Sequence, residues 1–279
     1  MFFAKKKLMV LALTALTGLS LLAAGCGSEN TSSSSSSSSS SASNDIIQTI
    51  KDRGYLKVGC KVDVPLFGYK NPDTGELEGF EIDLSHAIAK KIFGDPSKVE
   101  FTPVVAKTRG PLLDSGELDT VIATYTINDE RKKQYDFSTP YYTDPVGLLV
   151  KTADNINSLK DLSGKTIAVP QGATTRKAVE DAAKAAGIEV KFAEFPTYPE
   201  CKAALMSGRA AAYAMDTSNL SGYVDSETKI LPDKFAPQEY GAATKKGNDA
   251  LAKLIEDTIQ EMKDSGELDQ LLTKWKLNK

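Results

Sequence analysis

The segment of residues 119–131 carries side chains suited to binding a carboxylate. Residues 119–124 are apolar and β-branched and predict a strand, whose alternation would place the hydroxyls of Thr124 and Thr126 on one side. Asn128 predicts a helix start, which leaves free backbone N–H groups near the guanidinium of Arg131. Arginine suits this role because its planar donors match two carboxylate oxygens and it keeps its charge. Alone, Arg131 in a charge run would indicate a solvated helix face; the two threonines favour the carboxylate site.

Length and charge exclude one class of partner. The 279 residues allow one large or two modest domains with substantial cores. Without Lys5, Lys6 and Lys7 of a predicted leader, 31 basic and 37 acidic residues leave a net charge of −6. No basic stripe interleaved with aromatics occurs in the sequence, so we expect no nucleic-acid partner.

The N-terminus predicts export and a lipid anchor. A basic start, an apolar run at residues 8–22 and the small residues before Cys26 form a signal peptide over residues 1–25. The position of Cys26 resembles the bacterial lipobox, which implies a lipidated thiol at the mature N-terminus; a plain signal peptide is the alternative. Residues 26–44 are rich in serine and predict a flexible tether. We therefore expect a lipid-anchored protein on the extracytoplasmic face of the cell membrane.

The remaining sequence predicts an α/β fold with two lobes. Strand-like runs alternate with helical patterns in two similar series. The helices are predicted, among others, at residues 82–92, 174–186 and 248–265. No phosphate-binding glycine loop, dinucleotide motif or closely spaced metal ligands occur in the sequence, so we expect neither a cofactor nor a metal.

Several segments resemble one family when they are taken together and in order. They are VGCKVDVP (58–65), AKTRGPLL (106–113), ATYTINDERKK (123–133), GATTRKAVEDAAK (172–184), EFPTYPECKAAL (194–205) and ILPDKFAPQEYG (230–241). They are similar to the type II solute-binding proteins of polar amino-acid ABC importers, solute-binding family 3, and most of all to its binders of aspartate and glutamate. The resemblance implies a two-lobed fold with the ligand cleft between the lobes. One lobe would comprise residues 45–141 with 240–279 and the other residues 142–239, with strands crossing near 140–146 and 237–241.

The resemblance also implies roles for individual residues. Arg131 would bind the α-carboxylate of an amino acid, helped by Thr124, Thr126 and Thr174. Asp216, at a predicted strand end, would accept the α-ammonium group. Tyr198 would close one wall of the cleft and donate a hydrogen bond.

Lys61 and Arg109 would read the ligand's side chain. Two cations in one small cleft repel each other unless an anion neutralises them, so the pair favours a ligand with a second carboxylate. The alternative is a lysine whose charge reaches solvent and an arginine at a helix N-terminus. Cys60 and Cys201 form an even pair in an exported protein, which suggests a disulfide, although such a bond would join the lobes and hinder opening. The sequence leaves that pairing open.

The leading hypothesis is a monomeric, non-catalytic receptor that delivers glutamate or aspartate, with glutamine as a further candidate, to ABC permease subunits. A dehydratase-like enzyme of the same fold and a sensory ligand-binding subunit are the alternatives. An enzyme would need a placed acid or base, whereas the predicted cleft holds cations, hydroxyls and one acid required by the ligand's amine.

Overall fold

Apolar strands alternate with amphipathic helices along the chain, as the sequence predicts. The computed structural model describes residues 40–278, with side chains from residue 46 onward. The helices are α1 (Ser40–Arg53), α2 (Phe80–Phe93), α3 (Arg109–Asp114), α4 (Asp129–Lys132), α5 (Thr175–Ala185), α6 (Tyr198–Met206), α7 (Thr217–Ser221), α8 (Asp249–Ser265) and α9 (Glu267–Lys274). The strands are β1 (Leu56–Cys60), β2 (Asp63–Val64), β3 (Gly68–Lys70), β4 (Leu77–Glu78), β5 (Val99–Pro103), β6 (Thr120–Ile122), β7 (Tyr135–Phe137), β8 (Tyr142–Lys151), β9 (Thr166–Pro170), β10 (Lys191–Phe195), β11 (Ala212–Asp216), β12 (Thr228–Ile230), β13 (Phe235–Tyr240) and β14 (Ala243–Lys245).

The first lobe is built on a sheet with the strand order β5-β1-β6-β14-β7. β1 runs parallel to β5 and β6, whereas β14 is antiparallel to β6 and β7. Helices α1, α2, α8 and α9 contact one another beside this sheet. A small meander of β2, β3 and β4 lies next to α2.

The second lobe is built on a sheet with the order β10-β9-β11-β8-β12, and β13 also pairs with β8. β9 is parallel to β10 and β11, and the long strand β8 is antiparallel to its neighbours. Helices α5 and α6 pack on β9 and β11. Each sheet thus combines parallel strands with antiparallel ones, and the predicted two-lobed α/β class is confirmed.

β8 and β13 join the lobes side by side. Tyr142 pairs with Tyr240 in the antiparallel register, and the backbone N–H of Tyr141 donates to the carbonyl of Tyr240 at 2.9 Å. Thr126 of the first lobe forms an isolated bridge with Tyr240. We propose that the lobes divide at the predicted residues 142 and 240, because β8 begins and β13 ends there.

The core continues from one lobe into the other. The rings of Tyr142 and Tyr240 meet Phe67 edge-on, with centroid distances of 5.3 and 5.8 Å. One buried cluster includes both Val58 of β1 and Tyr213 of β11. Because aromatic pairs of this geometry contribute about 0.5–1.5 kcal/mol beyond their buried area, the arrangement stabilises the packing of the first lobe on the strands that join the lobes.

The helices predicted at residues 82–92, 174–186 and 248–265 are confirmed as α2, α5 and α8, each within two residues. The predicted tether is too long at its end, since α1 begins at Ser40 and includes residues 40–44. Ile50 of α1 is buried and Ile46 and Ile47 pack on the same core, and extending a nucleated helix is easier than starting one. The predicted signal peptide, Cys26 and the rest of the tether lie outside the described residues.

Between residues 40 and 278, no helix combines the length and apolar character needed to cross a membrane.

Candidate ligand-binding site

The polar residues predicted for the cleft follow the carboxyl ends of parallel strands. Lys61 follows β1, Thr124 follows β6, Thr174 follows β9 and Asp216 ends β11. In open α/β sheets this edge is where ligands bind, because the loops that leave parallel strands converge there. Strands from both lobes therefore supply the site.

Arg131 is positioned by the helix start that the sequence predicts. The side chain of Asn128 caps α4 by accepting a hydrogen bond from the backbone N–H of Arg131 at 2.9 Å. The guanidinium donates to the carbonyl of Thr126 at 2.6 Å and to that of Gly172, in the second lobe, at 3.3 Å. It lies 4.5 Å from the ring centroid of Tyr125. Arg131 therefore links the two lobes and is held by backbone oxygens.

Arg109 lies beside Arg131 and is almost fully buried, with 2% of its surface exposed. Its Nη1 donates to the carbonyls of Ala123 at 2.6 Å and Thr124 at 3.1 Å, and its guanidinium lies 4.2 Å from the centroid of Tyr125. Its Nε is buried with no hydrogen-bond partner among residues 40–278. The solvated helix-terminal arginine, one alternative raised by the sequence, is excluded by this burial.

The guanidinium groups of Arg109 and Arg131 thus both lie against the ring of Tyr125. Burial, and next the nearby charge of Arg109, lower the pKa of Arg131 to about 10, so Arg131 remains cationic at neutral pH. Within the described part of the chain, neither group has a carboxylate oxygen within the 4.0 Å of an ion pair. Two neighbouring like charges without counter-ions, one buried and one half-buried, favour an anionic ligand.

Thr124 does not lie in a strand, so the predicted pair of aligned strand hydroxyls is wrong. β6 ends at Ile122, and Thr124 has the left-handed φ of 47°, which is rare for a β-branched residue. Its backbone is held on both sides, because its N–H donates to Glu81 at 2.6 Å and its carbonyl accepts from Arg109. Such strain costs about 1–3 kcal/mol and is found mostly at functional sites.

Thr126 and Thr174 meet across the lobes, as expected of residues that share one ligand group. Their hydroxyl oxygens are 3.4 Å apart, and Thr174 donates to Oε1 of Gln238 at 2.6 Å. Thr174 precedes the first residue of α5, so the N-terminal end of that helix faces the same place. Gln238 on β13 was missed, because only the pairing of β13 with β8 brings it to the cleft.

Asp216 is buried at the end of β11, where the sequence places it. Its Oδ2 accepts a hydrogen bond from the hydroxyl of Tyr240, and its Oδ1 is buried without a partner among residues 40–278. Burial raises the pKa of Asp216 to about 7, against the lowering effect of the bond from Tyr240. An unpaired buried carboxylate oxygen is a suitable acceptor for an ammonium group.

Lys61 is fully buried and already has a counter-ion. Its Nζ lies 2.9 Å from Oδ1 of Asp63, 3.3 Å from the carbonyl of Val104 and 4.1 Å from the ring centroid of Tyr198. Burial lowers the pKa of Lys61, and Asp63 opposes that effect. The alternative of a lysine reaching solvent is excluded. Sequence analysis missed Asp63, although its spacing of two residues from Lys61 was a usable signal.

Tyr198 begins α6 and faces Lys61 from the other lobe. Its hydroxyl faces that of Thr124, and neither of the two buried groups has a hydrogen-bond partner within 3.5 Å among residues 40–278. Burial raises the pKa of Tyr198, so the phenol keeps its proton and can donate it in a hydrogen bond.

Sequence analysis did not predict a role for Glu81, which lies on α2 and is completely buried. Its Oε1 accepts from the backbone N–H of Thr124 and from the hydroxyl of Tyr141, both at 2.6 Å. Burial raises the pKa of Glu81 to about 7. On α2 it follows the amphipathic pattern of a core position, so only the tertiary contacts single it out.

Cys60 and Cys201 are both free thiols, so the possible disulfide is not formed. Each is buried in its own lobe, Cys60 at the end of β1 and Cys201 within α6. Burial raises the pKa of each thiol to about 12. The two residues act as small core side chains.

The fold and site together define a two-lobed ligand-binding protein whose cleft suits a small zwitterion. Residues 56–278 match the family of bacterial extracellular solute-binding proteins, family 3, and the chain belongs to this family. It is 39% identical over 273 residues to the ABC transporter glutamine-binding protein GlnH of Bacillus subtilis, covering 97% of each chain. It is also 39% identical to the glutamine-binding protein of Geobacillus stearothermophilus, covering 90% of this chain and 96% of that one.

A solved structure agrees with this assignment. An ancestral arginine-binding protein bound to glutamine superposes with a TM-score of 0.72 at 40% sequence identity, over 80% of this chain and 98% of its own. The family assignment therefore confirms the resemblance found in the sequence at the level of amino-acid binding proteins.

Proposed function

We propose that this protein captures glutamate or aspartate outside the cytoplasm and delivers it to the permease subunits of an ABC importer. One observation carries the choice of ligand: Arg109, which is buried, and Arg131, which is half-buried, lie over the same ring of Tyr125, and neither has an ion-pair partner among the described residues. A ligand with two carboxylates would neutralise both groups. Importer function is supported by the family and by the printed names of its relatives.

The assignment within the cleft follows from the donors and acceptors that remain free. In this proposal Arg131, Thr126 and Thr174 bind the α-carboxylate, and Oδ1 of Asp216 accepts the α-ammonium group. Bidentate arginine contacts with carboxylates are among the stronger charge-assisted hydrogen bonds. Arg109, whose Nε has no partner within residues 40–278, binds the side-chain carboxylate.

Lys61, Thr124 and Tyr198 complete the proposed side-chain end of the site. The buried hydroxyls of Thr124 and Tyr198 face each other, and neither has a hydrogen-bond partner within 3.5 Å in the described chain, so a ligand group could bind to both. Lys61 lies against the ring of Tyr198 and adds positive potential that Asp63 largely offsets.

The balance of charge favours an acidic ligand. Lys61 and Asp63 cancel each other, so with Asp216 ionised and the neighbouring Glu81 protonated the two guanidinium groups leave one positive charge in the cleft. Glutamate and aspartate carry two carboxylates and one ammonium group at neutral pH, a net charge of −1. Their binding would leave the closed site neutral, which a buried site requires.

Glutamine is a second candidate, and two observations favour it. The Lys61–Asp63 pair removes one of the two cations that the sequence assigned to a second carboxylate. The relatives at 39% identity are named as glutamine-binding proteins. Glutamine has the length of glutamate without its side-chain charge, so the two ligands test the role of Arg109 directly.

An enzyme of the same fold is the alternative from another class, since one similar solved structure is described as an ancestral amino acid-binding protein that is a precursor of cyclohexadienyl dehydratase. Against it, Asp216 is bonded to Tyr240, and both hydrogen bonds to Glu81 come from the protein itself. Mass spectrometry of the recovered ligand should show an unchanged amino acid; steady formation of a new product would contradict the receptor proposal.

Calorimetric titration of the purified protein with the twenty amino acids tests the ligand assignment. We expect glutamate or aspartate to bind most tightly. Arg131→Ala should remove binding of every amino acid, whereas Arg109→Leu should weaken acidic ligands most. Truncating one member of a buried charge pair costs about 2–5 kcal/mol, roughly 30-fold or more in Kd. Arg209→Leu, at an exposed arginine, is the matched control.

The outcomes separate the candidates. If glutamine binds more tightly than glutamate in the parent protein, the second candidate replaces the first. If Arg109→Leu weakens glutamate and alanine equally, its assigned role in side-chain recognition is wrong.

Attachment through lipid on Cys26 also remains part of the proposal. It is supported by the leader pattern and by the serine-rich segment that follows. One acyl chain gives only marginal membrane attachment, so a diacylglyceryl group would be the effective anchor.

A further inference from the structure

Glu81 occupies an unusual place next to the proposed ligand site. Its side chain is fully buried, and its Oε2 has no hydrogen-bond partner among residues 40–278. Its Oε1 accepts two hydrogen bonds of 2.6 Å, from the backbone N–H of Thr124 and from the hydroxyl of Tyr141. Burying a carboxyl oxygen without a hydrogen-bond partner costs free energy, so its presence in a folded protein calls for a functional explanation.

Both partners of Glu81 connect it to residues of the site. The carbonyl of Thr124 accepts from Arg109 at 3.1 Å, so Glu81 and Arg109 hold opposite ends of one strained residue. The backbone N–H of Tyr141 donates to the carbonyl of Tyr240. The hydroxyl of Tyr240 in turn donates to Asp216. Glu81 therefore contacts the site through both the side-chain end and the strand that joins the lobes.

The charged and titratable groups that face Glu81 come from three parts of the first lobe. They are Arg109 of α3, Lys61 and Cys60 at the end of β1, and Tyr141 before β8. Lys61 is paired with Asp63, and the pKa values of Cys60 and Tyr141 are raised by burial. Arg109 is thus the cation facing Glu81 that has no ion pair of its own within residues 40–278.

We propose that Glu81 is a specificity-determining residue, whose protonation state sets how much of the positive charge of Arg109 is available to the ligand's side chain. This inference rests on the proposed function. Protonated Glu81 leaves Arg109 uncompensated and favours an acidic side chain. Ionised Glu81 offsets that charge and favours the neutral amide of glutamine.

The protonation state of Glu81 changes near neutral pH. Burial raises the pKa of this group to about 7, and the hydrogen bonds from Tyr141 and Thr124 limit the rise. The protonated form therefore predominates below pH 7 and the ionised form above it. Preference for glutamate over glutamine should fall as the pH rises through this range.

The test is the ratio of the Kd for glutamine to the Kd for glutamate, measured by calorimetry with the purified protein from pH 5.5 to 8.5. We expect the ratio to fall by about tenfold or more across this range, the effect of one nearby unit charge at an effective dielectric constant of about 20. Asp216 titrates in the same range and is coupled to Arg109, so the share that belongs to Glu81 is the part of the pH dependence that a Glu81 variant removes.

Variants assign the effect to the carboxyl group. Glu81→Gln, which cannot ionise, should hold the ratio near its low-pH value at every pH. Glu81→Asp should restore a dependence on pH, although its midpoint can move. His86→Gln changes the chain's only histidine, which lies partly exposed on the same helix, and should leave the dependence intact.

Each result decides a different question. A ratio that is constant with pH in the parent protein overturns the role of Glu81 while leaving the proposed function in place. A full pH dependence retained by Glu81→Gln overturns it as well. Failure of both ligands to bind at any pH overturns the proposed function together with this inference. The measurement on the parent protein can overturn the role of Glu81 even if Glu81→Gln fails to fold.

Discussion

Gly222 lies where the two lobes touch. An added methyl group there should hinder the closing of the lobes without changing the residues that bind the ligand. A Cβ atom at Gly222 would lie 2.7, 2.8 and 3.0 Å from three ring atoms of Pro65 in the first lobe. Ordinary contacts begin at 3.4 Å, so the lobes would have to separate locally by about 0.7 Å. The backbone of Gly222 has φ −73°, which alanine adopts without strain.

The cost of Gly222→Ala can be worked out from this overlap. The proline ring cannot turn aside as a flexible side chain could, and the adjacent Tyr223 holds the same edge by donating its hydroxyl to the carbonyl of Asp63. Overpacking of this kind costs about 1–3 kcal/mol, which weakens binding by roughly 5- to 150-fold. Glutamate and glutamine should lose affinity equally, because Pro65 touches neither of the proposed ligand groups.

Calorimetry for both ligands, with thermal melting of the unliganded protein, is the assay. Ser221→Ala, on the adjacent exposed residue, is the matched control. Adding Pro65→Gly to Gly222→Ala should recover affinity relative to Gly222→Ala alone, so a double-mutant cycle should show that Gly222→Ala costs less in the Pro65→Gly background. The reasoning is refuted if affinity changes by less than twofold, or if the unliganded protein is destabilised as much as binding is weakened.

Two further predictions concern acid stability and attachment. Burial raises the pKa of Glu81 from 4.5 to about 7 and that of Asp216 from 3.8 to about 7. The contribution of these two groups to the free energy of unfolding is therefore fully present below about pH 4. It falls as the pH rises to 7, by up to about 1.4 kcal/mol per group per pH unit. The unliganded protein should therefore melt at a higher temperature at pH 5 than at pH 7.5, and a lower melting temperature at pH 5 would contradict the assignment. Cys26→Ser should leave the chain unprocessed or released from membranes in cell fractionation, while Ser28→Ala should stay attached; a mutant that is fully processed and still membrane-bound would contradict the lipid anchor.

Features that depend on neighbouring residues could be predicted from the sequence. Asn128 caps α4 as its position indicates, because capping involves only the next few backbone N–H groups. Lys61 and Asp216 lie at strand ends because apolar runs stop just before or at them. Both residues lie near the proposed site because the carboxyl ends of parallel strands converge at one edge of a sheet.

Features that depend on distant contacts could not be predicted. Thr124 leaves the strand conformation because Glu81, 43 residues earlier, holds its N–H and Arg109 holds its carbonyl. Propensity favours a strand at a β-branched residue, and tertiary hydrogen bonds override it. Gln238 reaches Thr174 across 64 residues only because β13 pairs with β8.

The unpaired charges explain how ligand and closure are coupled. Arg109 and Arg131 lie 4.2 and 4.5 Å from the same ring of Tyr125, where each disfavours the charge of the other. Arg131 also reaches Gly172 of the second lobe, so we expect closure of an empty cleft to bring these charges further out of water without counter-ions, which is unfavourable. Under the proposed function, an amino acid that supplies the missing carboxylates would have a higher affinity for the closed form than for an open one. A ligand shifts an equilibrium only by such a difference in affinity, so the two guanidinium groups would make closure depend on the ligand being present.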